Sequence, residues 1–60
     1  MLDVKFINSG WNTDHGFKSV ELIKLDITES GEPTAKVSSP YSDSVLTAKF
    51  NAGIWVADLD

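Results

Sequence analysis

Short stretches in which apolar and polar residues alternate follow one another along this chain, and turn signals separate them. In the segment LDVKFIN, Leu2, Val4 and Phe6 alternate with charged residues, a period of two that is typical of a half-buried strand. Gly31 and Pro33 mark one of several turns between such stretches. The pattern predicts an all-β fold, either a small barrel or an antiparallel sheet of four to five short strands. No linker or internal repeat interrupts it, so we expect residues 1–60 to form one small β domain.

The segment KSVELIKLDI, residues 18–27, changes phase in its middle. Val20 and Leu22 lie on one face of an extended chain, whereas the apolar residues that follow, up to Ile27, lie on the other. Such a change indicates either a β-bulge or a strand that is apolar on both faces. A helix would place some of these residues on one stripe, but the β-branched side chains favour a strand.

The second half of the chain contains one ambiguous segment. The stretch TAKVSS alternates weakly and predicts a short edge strand that ends before Pro40. Residues 43–51 allow a short helix, capped by Ser42 or Asp43 and closed by Gly53. They also allow a strand that passes through a tight hairpin at NAG into IWVADLD. We favour the hairpin.

The last segment is apolar on both faces, and this predicts self-association. Ile54 and Val56 point one way, whereas Trp55, Ala57 and Leu59 point the other. A chain of 60 residues can cover one face of a sheet with its own residues but hardly two, and with no cysteine it cannot be stabilised by disulfides. Because two-fold pairing is the commonest symmetry of homo-oligomers, we expect a homodimer.

The charge balance favours a protein partner over a nucleic acid. Nine acidic residues outnumber five lysines, arginine is absent, and the formal net charge is −4. Nucleic-acid affinity depends on cations that neutralise phosphates, so an acidic chain is better suited to a basic surface on another protein. The first residues, MLDVKFINSG, resemble neither a signal peptide nor a membrane span. We therefore expect no membrane association and a cytoplasmic location, which is the host cytoplasm if the protein is viral.

Candidate catalytic and metal-binding groups are few. His15 is the only side chain whose unperturbed pKa lies near neutrality, and its neighbour Asp14 points away from it in an extended segment. A single histidine without cysteine does not form a zinc site. No glycine-rich phosphate loop is present. We predict a protein that is not an enzyme and that uses neither a metal nor a cofactor.

The stretch NSGWNTDHGF and the remaining aromatic residues offer the best candidates for recognition. We interpret the stretch as a long loop with pivots at Gly10 and Gly16, which presents polar groups around an aromatic ring. Tryptophan and tyrosine are enriched among the residues that dominate binding energy. The predicted partner-binding residues are Trp11, Asp14, His15, Tyr41 and Trp55, with Trp55 expected in a core or dimer seam.

These observations predict a non-enzymatic protein-interaction module. The main hypothesis is a homodimeric inhibitor or regulator that binds and blocks another protein, for example a phage-encoded inhibitor of a host enzyme or defence system. One alternative is a small carbohydrate-binding or other ligand-binding module, because Trp11 stands among hydrogen-bonding residues. The other alternative is a structural subunit of a virion.

Overall fold

The computed structural model describes all 60 residues and confirms an all-β fold. It contains six strands: β1 Leu2–Asn8, β2 Thr13–Val20, β3 Leu22–Ile27, β4 Pro33–Ser38, β5 Val45–Asn51 and β6 Ile54–Asp58. The expected number was four to five. The difference arises because the segment predicted as one strand over residues 18–27 divides at Glu21 into the end of β2 and the whole of β3.

The six strands form a single mixed sheet rather than a purely antiparallel one. Their order is β2-β1-β6-β5-β4-β3, and every neighbouring pair is antiparallel except β1 and β6, which are parallel. The first and last strands of the chain thus lie side by side within the sheet. The chain forms no helix with the length and apolar character needed to cross a membrane.

Glu21 connects the two edges of this sheet. β2 and β3 are the outermost strands in the order, yet only this residue separates them along the chain. The sheet must therefore curl until its edges meet at one corner. The Glu21 carbonyl accepts a hydrogen bond from the Ser38 N–H at 3.1 Å, which fixes the corner to the end of β4. The phase change in the sequence marks this corner and the bulge that follows it in β3, between Leu22 and Lys24.

The core lies on the inner face of the curled sheet. Phe6 and Val4 of β1 and Val37 of β4 are its largest fully buried side chains. The complete set of buried residues is Val4, Phe6, Val20, Ala35, Val37, Ala48 and Ala57. β4 contributes two of them because it pairs with both β3 and β5, so the expectation that it is an edge strand is wrong.

The hairpin between β5 and β6 is confirmed, and the alternative helix over residues 43–51 is wrong. β5 pairs with β6 from Ala48 opposite Ala57 to Asn51 opposite Ile54. The connecting residues Ala52 and Gly53 have φ values of 51° and 84°. Two consecutive positive φ values are the signature of the type I′ turn that joins strands with a two-residue loop.

Strand β3 carries four of the ten large hydrophobic residues that are exposed, more than any other strand. All six of its residues are exposed, and among them Leu25 and Ile27 are 58% and 67% accessible. In β6, by contrast, Trp55 and Val56 are half-buried and Ala57 is buried. Surplus apolar surface is therefore present, and the strand that contributes most to it is the edge strand β3 rather than the final strand.

Candidate interaction surfaces

Trp11 projects from a short and well-connected turn. Residues Ser9–Trp11 form one turn of 3₁₀ helix between β1 and β2, and the Asn8 side chain accepts a hydrogen bond from the Trp11 N–H at 3.1 Å. Asn12 follows in the left-handed conformation and donates its N–H to the Ser9 carbonyl at 3.3 Å. Trp11 is 81% exposed. The predicted long loop is thus a tight turn, because local capping bonds replace the expected pivots.

Two carboxylates contact this turn from the end of the sheet. Asp58 accepts hydrogen bonds from the backbone N–H groups of Ser9, at 3.1 Å, and of Asp60, at 3.0 Å. Bonding from the Ser9 side chain, together with these N–H donors, lowers the pKa of the Asp58 carboxyl. The Asp60 carboxyl lies so close to Gly10 that a Cβ there would stand 2.7 Å from it. The turn that carries Trp11 is therefore flanked by negative charge.

Asp14 and His15 lie in β2 rather than in a loop. The register passes from Phe6 opposite Gly16 to Ile7 opposite Asp14, so His15 is the additional residue of a β-bulge. Gly16 has a φ of 76°, which explains why glycine stands at this position of the bulge. The prediction that His15 belongs to a long loop is wrong, because β2 begins at Thr13, immediately after Asn12.

Asp14 forms an ion pair with β1. Its carboxylate lies 2.9 Å from the Lys5 Nζ and accepts a hydrogen bond from the Gly16 N–H at 2.8 Å. The bond from Lys5, and then that from Gly16, lowers the pKa of Asp14. Since both side chains remain partly exposed, the pair orients the bulge more than it stabilises the fold.

Tyr41 joins three other side chains at one end of the core. Its ring lies edge-on to Phe6, with centroids 6.0 Å apart, and 5.4 Å from the His15 ring. The Lys18 Nζ stands 5.8 Å from the Tyr41 centroid, within the range of a cation–π contact. We call His15, Lys18 and Tyr41 the Tyr41 cluster. Sequence reasoning found two of its members but missed Lys18, which no local pattern connects to Tyr41.

Trp55 belongs to a different surface. Its ring is 5.1 Å from that of Phe50, the residue opposite it on β5. Together with Leu25, Ile27 and Pro33 it lines a recess of about 360 Å³, to which Asp26 adds one polar side chain. We call Leu25, Ile27, Pro33 and Trp55 the apolar mouth. The five predicted binding residues therefore do not form one site, because Trp55 lies in this mouth and not in the Tyr41 cluster.

Two further features bear on chemistry. The largest recess, about 630 Å³, is lined mainly by polar side chains such as Thr47, Lys49 and Asn51. No group of three or more histidine, cysteine, aspartate or glutamate side chains is placed to hold a metal ion.

No protein family, characterised protein or solved structure matches this chain.

Proposed function

We propose that this protein is a non-enzymatic binding module that acts as a homodimeric inhibitor or regulator by occupying a surface of another protein. The observation that carries the proposal is Trp11, a tryptophan that is 81% exposed at the tip of the β1–β2 hairpin. A chain this short buries only a small core, so an exposed side chain of this size does not serve its stability. We expect the Trp11 side chain to be buried when a partner binds.

The turn is rigid enough to act as a preformed anchor. Its backbone is connected to Asn8, to Asp58 and within itself by hydrogen bonds of 3.1 to 3.3 Å. A side chain held on an ordered backbone loses less conformational freedom when it binds, so more of its contact energy contributes to affinity. Trp11 is therefore suited to enter a pocket on a partner as a hot-spot residue.

The charges around Trp11 favour a basic partner. Asp58 and Asp60 contact the turn that bears it, and the whole chain has a formal net charge of −4. Complementary potentials accelerate encounter and fix the orientation of a complex. We expect association to slow as ionic strength rises, since salt screens charges that are exposed on both surfaces.

Affinity capture from a lysate of the source organism tests the proposal when three baits are compared. Trp11→Ala should lose the protein that the wild type captures, whereas Phe17→Ala, which removes another exposed aromatic side chain from the same hairpin, should retain it. Both variants should keep the circular dichroism spectrum of the wild type, because neither residue belongs to the core. A folded Trp11→Ala variant that still captures the same protein would remove Trp11 from the interface and contradict the proposal.

A carbohydrate-binding module is the second candidate, and one observation favours it. A recess of about 270 Å³ adjoins the turn of Trp11, and five of the six residues that line it are polar: Asn8, Ser9, Asn12, Thr13 and Asp14, with Ile7 as the apolar one. An indole plate beside such groups is an arrangement that sugars recognise. Glycan-array binding that disappears in both Trp11→Ala and Asn12→Ala would place this candidate first, whereas an empty array leaves the protein-binding proposal in place.

A further inference from the structure

We propose that the homodimer forms by antiparallel pairing of the free edges of β3, centred on Leu25, so that Lys24 of each copy faces Asp26 of the other. The inference rests on the self-association part of the proposed function and adds the strand, the symmetry and the register. Its occupant is a second copy of this chain. Three observations on one strand support it: the open edge, the order of the charges and the exposed apolar residues.

The outer edge of β3 is available for pairing. β3 is the last strand in the order and pairs only with β4. The Thr28 N–H points to the side of β4, where it bonds the Glu32 carbonyl at 2.9 Å, and alternation along an antiparallel strand then turns the N–H groups of Leu25 and Ile27 towards the free edge. The Ile27 N–H bonds the neighbouring Asp26 carboxylate at 2.8 Å. This bond occupies a backbone donor that a neighbouring strand would otherwise bind.

The charges of β3 select one register. Residues opposite each other in an antiparallel pair project from the same face, so a two-fold axis must pass beside a residue and not between two. Centring on Lys24 brings two lysines together, and centring on Asp26 brings two aspartates together. Centring on Leu25 forms two Lys24–Asp26 pairs and matches Ile23 with Ile27 of the second copy, because the segment IKLDI has opposite charges at equal distances from its middle residue.

Within one chain, Lys24 is in an unfavourable place that this pairing corrects. It lies opposite Lys36 on β4, and like charges directly opposite each other destabilise a sheet. Lys36 donates a hydrogen bond to Thr47 at 2.7 Å, whereas the carboxylate that pairs with Lys24 is that of Asp26 at 3.9 Å, with both side chains largely exposed. In the proposed dimer, the Asp26 carboxylate of the second copy lies opposite Lys24 on the side away from Lys36. Lys24 then has an opposite charge as its neighbour across the strand pair.

The apolar residues of β3 supply burial on the other face. Leu25 lies opposite the buried Ala35, and Ile27 lies opposite Pro33, and both side chains line the apolar mouth. The proposed axis passes beside Leu25 and joins the two apolar mouths into one surface. A standard interface buries about 800 Å² on each partner. That is roughly a fifth of the 4169 Å² that this chain exposes, so the mouths must contribute together with the paired strands.

Sedimentation velocity on charge variants tests the register. Lys24→Asp alone and Asp26→Lys alone each turn both cross-strand pairs from attractive to repulsive, so dimers of either should be at least about tenfold weaker than those of the wild type.

A mixture of the two single variants should form a heterodimer. The aspartate introduced at position 24 of one copy faces the lysine introduced at position 26 of the other, and the unchanged Asp26 of the first copy faces the unchanged Lys24 of the second. The double exchange K24D/D26K restores both pairs within a homodimer and should associate like the wild type.

The controls separate the failure of this inference from that of the proposed function. Lys49→Asp makes the same charge change on an exposed residue of the interior strand β5 and should leave association unchanged. A wild type that stays monomeric at high micromolar concentration overturns the inference and the homodimer alike, while capture through Trp11 remains a separate result. Dimers that persist in both single variants, or a mixture without heterodimers, overturn the β3 register but leave a homodimer with another interface. A K24D/D26K variant that keeps the circular dichroism spectrum of the wild type yet does not associate also overturns the β3 register.

Discussion

Ala52 in the β5–β6 turn is expected to be a site where one substitution stabilises the fold. It adopts a φ of 51°, in the left-handed region, and is followed by Gly53 with a φ of 84°. An L-residue in this region costs about 1–2 kcal/mol, and asparagine and glycine tolerate it better than alanine does. Asparagine followed by glycine is the preferred pair in a type I′ turn. The alanine is exposed, so replacing its side chain removes no core contact.

We predict that Ala52→Asn raises the free energy of unfolding by about 0.5–1 kcal/mol, since only part of the left-handed cost is recovered. For a domain of this size, 1 kcal/mol corresponds to about 4–8 °C in Tm, so the expected increase is about 2–8 °C. Gly53→Ala is the matched control in the same turn. It should lower stability by about 1–2 kcal/mol, because it introduces the same backbone penalty at the next residue.

Thermal and urea unfolding followed by circular dichroism measures both variants. Measurements at one fixed protein concentration are needed, because self-association makes Tm depend on concentration. If Ala52→Asn is neutral or destabilising while Gly53→Ala is harmless, the turn does not have the geometry described here. The assignment of the β5–β6 hairpin register would then be wrong as well.

Two further predictions concern the core and the C-terminal segment. Phe6 is the largest fully buried side chain, so Phe6→Leu should destabilise the fold by about 1–2 kcal/mol and Phe6→Ala by about 3–5 kcal/mol. In a domain so small, the larger loss is enough to abolish cooperative unfolding. Asp58→Asn should reduce stability near neutral pH but not in strong acid. The pKa of Asp58 is lowered in the folded protein, so its contribution to the free energy of unfolding is fully present above the ordinary value of 3.8. That contribution disappears as the pH falls through the folded pKa. The stabilities of the wild type and Asp58→Asn, measured by acid titration, should converge there.

The parts of the fold that depend on neighbouring residues could be predicted from the sequence. Alternation of Val4 and Phe6 with charged residues correctly indicated a strand with one buried face, and NAG correctly indicated the hairpin turn. These signals are local, because side-chain alternation and positive φ are determined by adjacent residues.

Long-range features could not be predicted in this way. The parallel pairing of β1 with β6 joins residues about fifty positions apart, and no periodicity encodes it. Glu21 marks a corner between opposite edges of the sheet, yet the same phase change fits a bulge in one strand. The weak alternation of β4 likewise predicts an edge strand, yet its small residue Ala35 is fully buried in the core.

The candidate site also contains residues that the sequence indicates and residues that depend on long-range contacts. Residue type alone indicates Trp11, His15 and Tyr41 as candidates for binding, and in the structure His15 and Tyr41 are in contact. Residue type does not indicate Lys18, Leu25 or Ile27 as binding residues, because a cation–π contact and an apolar mouth depend on which strands are neighbours. The surplus of apolar residues after Val20 was the one signal in the sequence that pointed towards β3.

Amide hydrogen exchange of β3, measured at low and at high protein concentration, shows whether the dimer forms through the free edge of this strand. If the free edges of β3 pair, the N–H groups of Leu25 and Ile27 should become at least about tenfold more protected as the dimer forms, while the N–H of Asp26, which points towards β4, should change less. Exchange at Leu25 and Ile27 that is equally fast at every concentration, in a sample that sedimentation shows to be dimeric, would contradict the pairing of β3 edges.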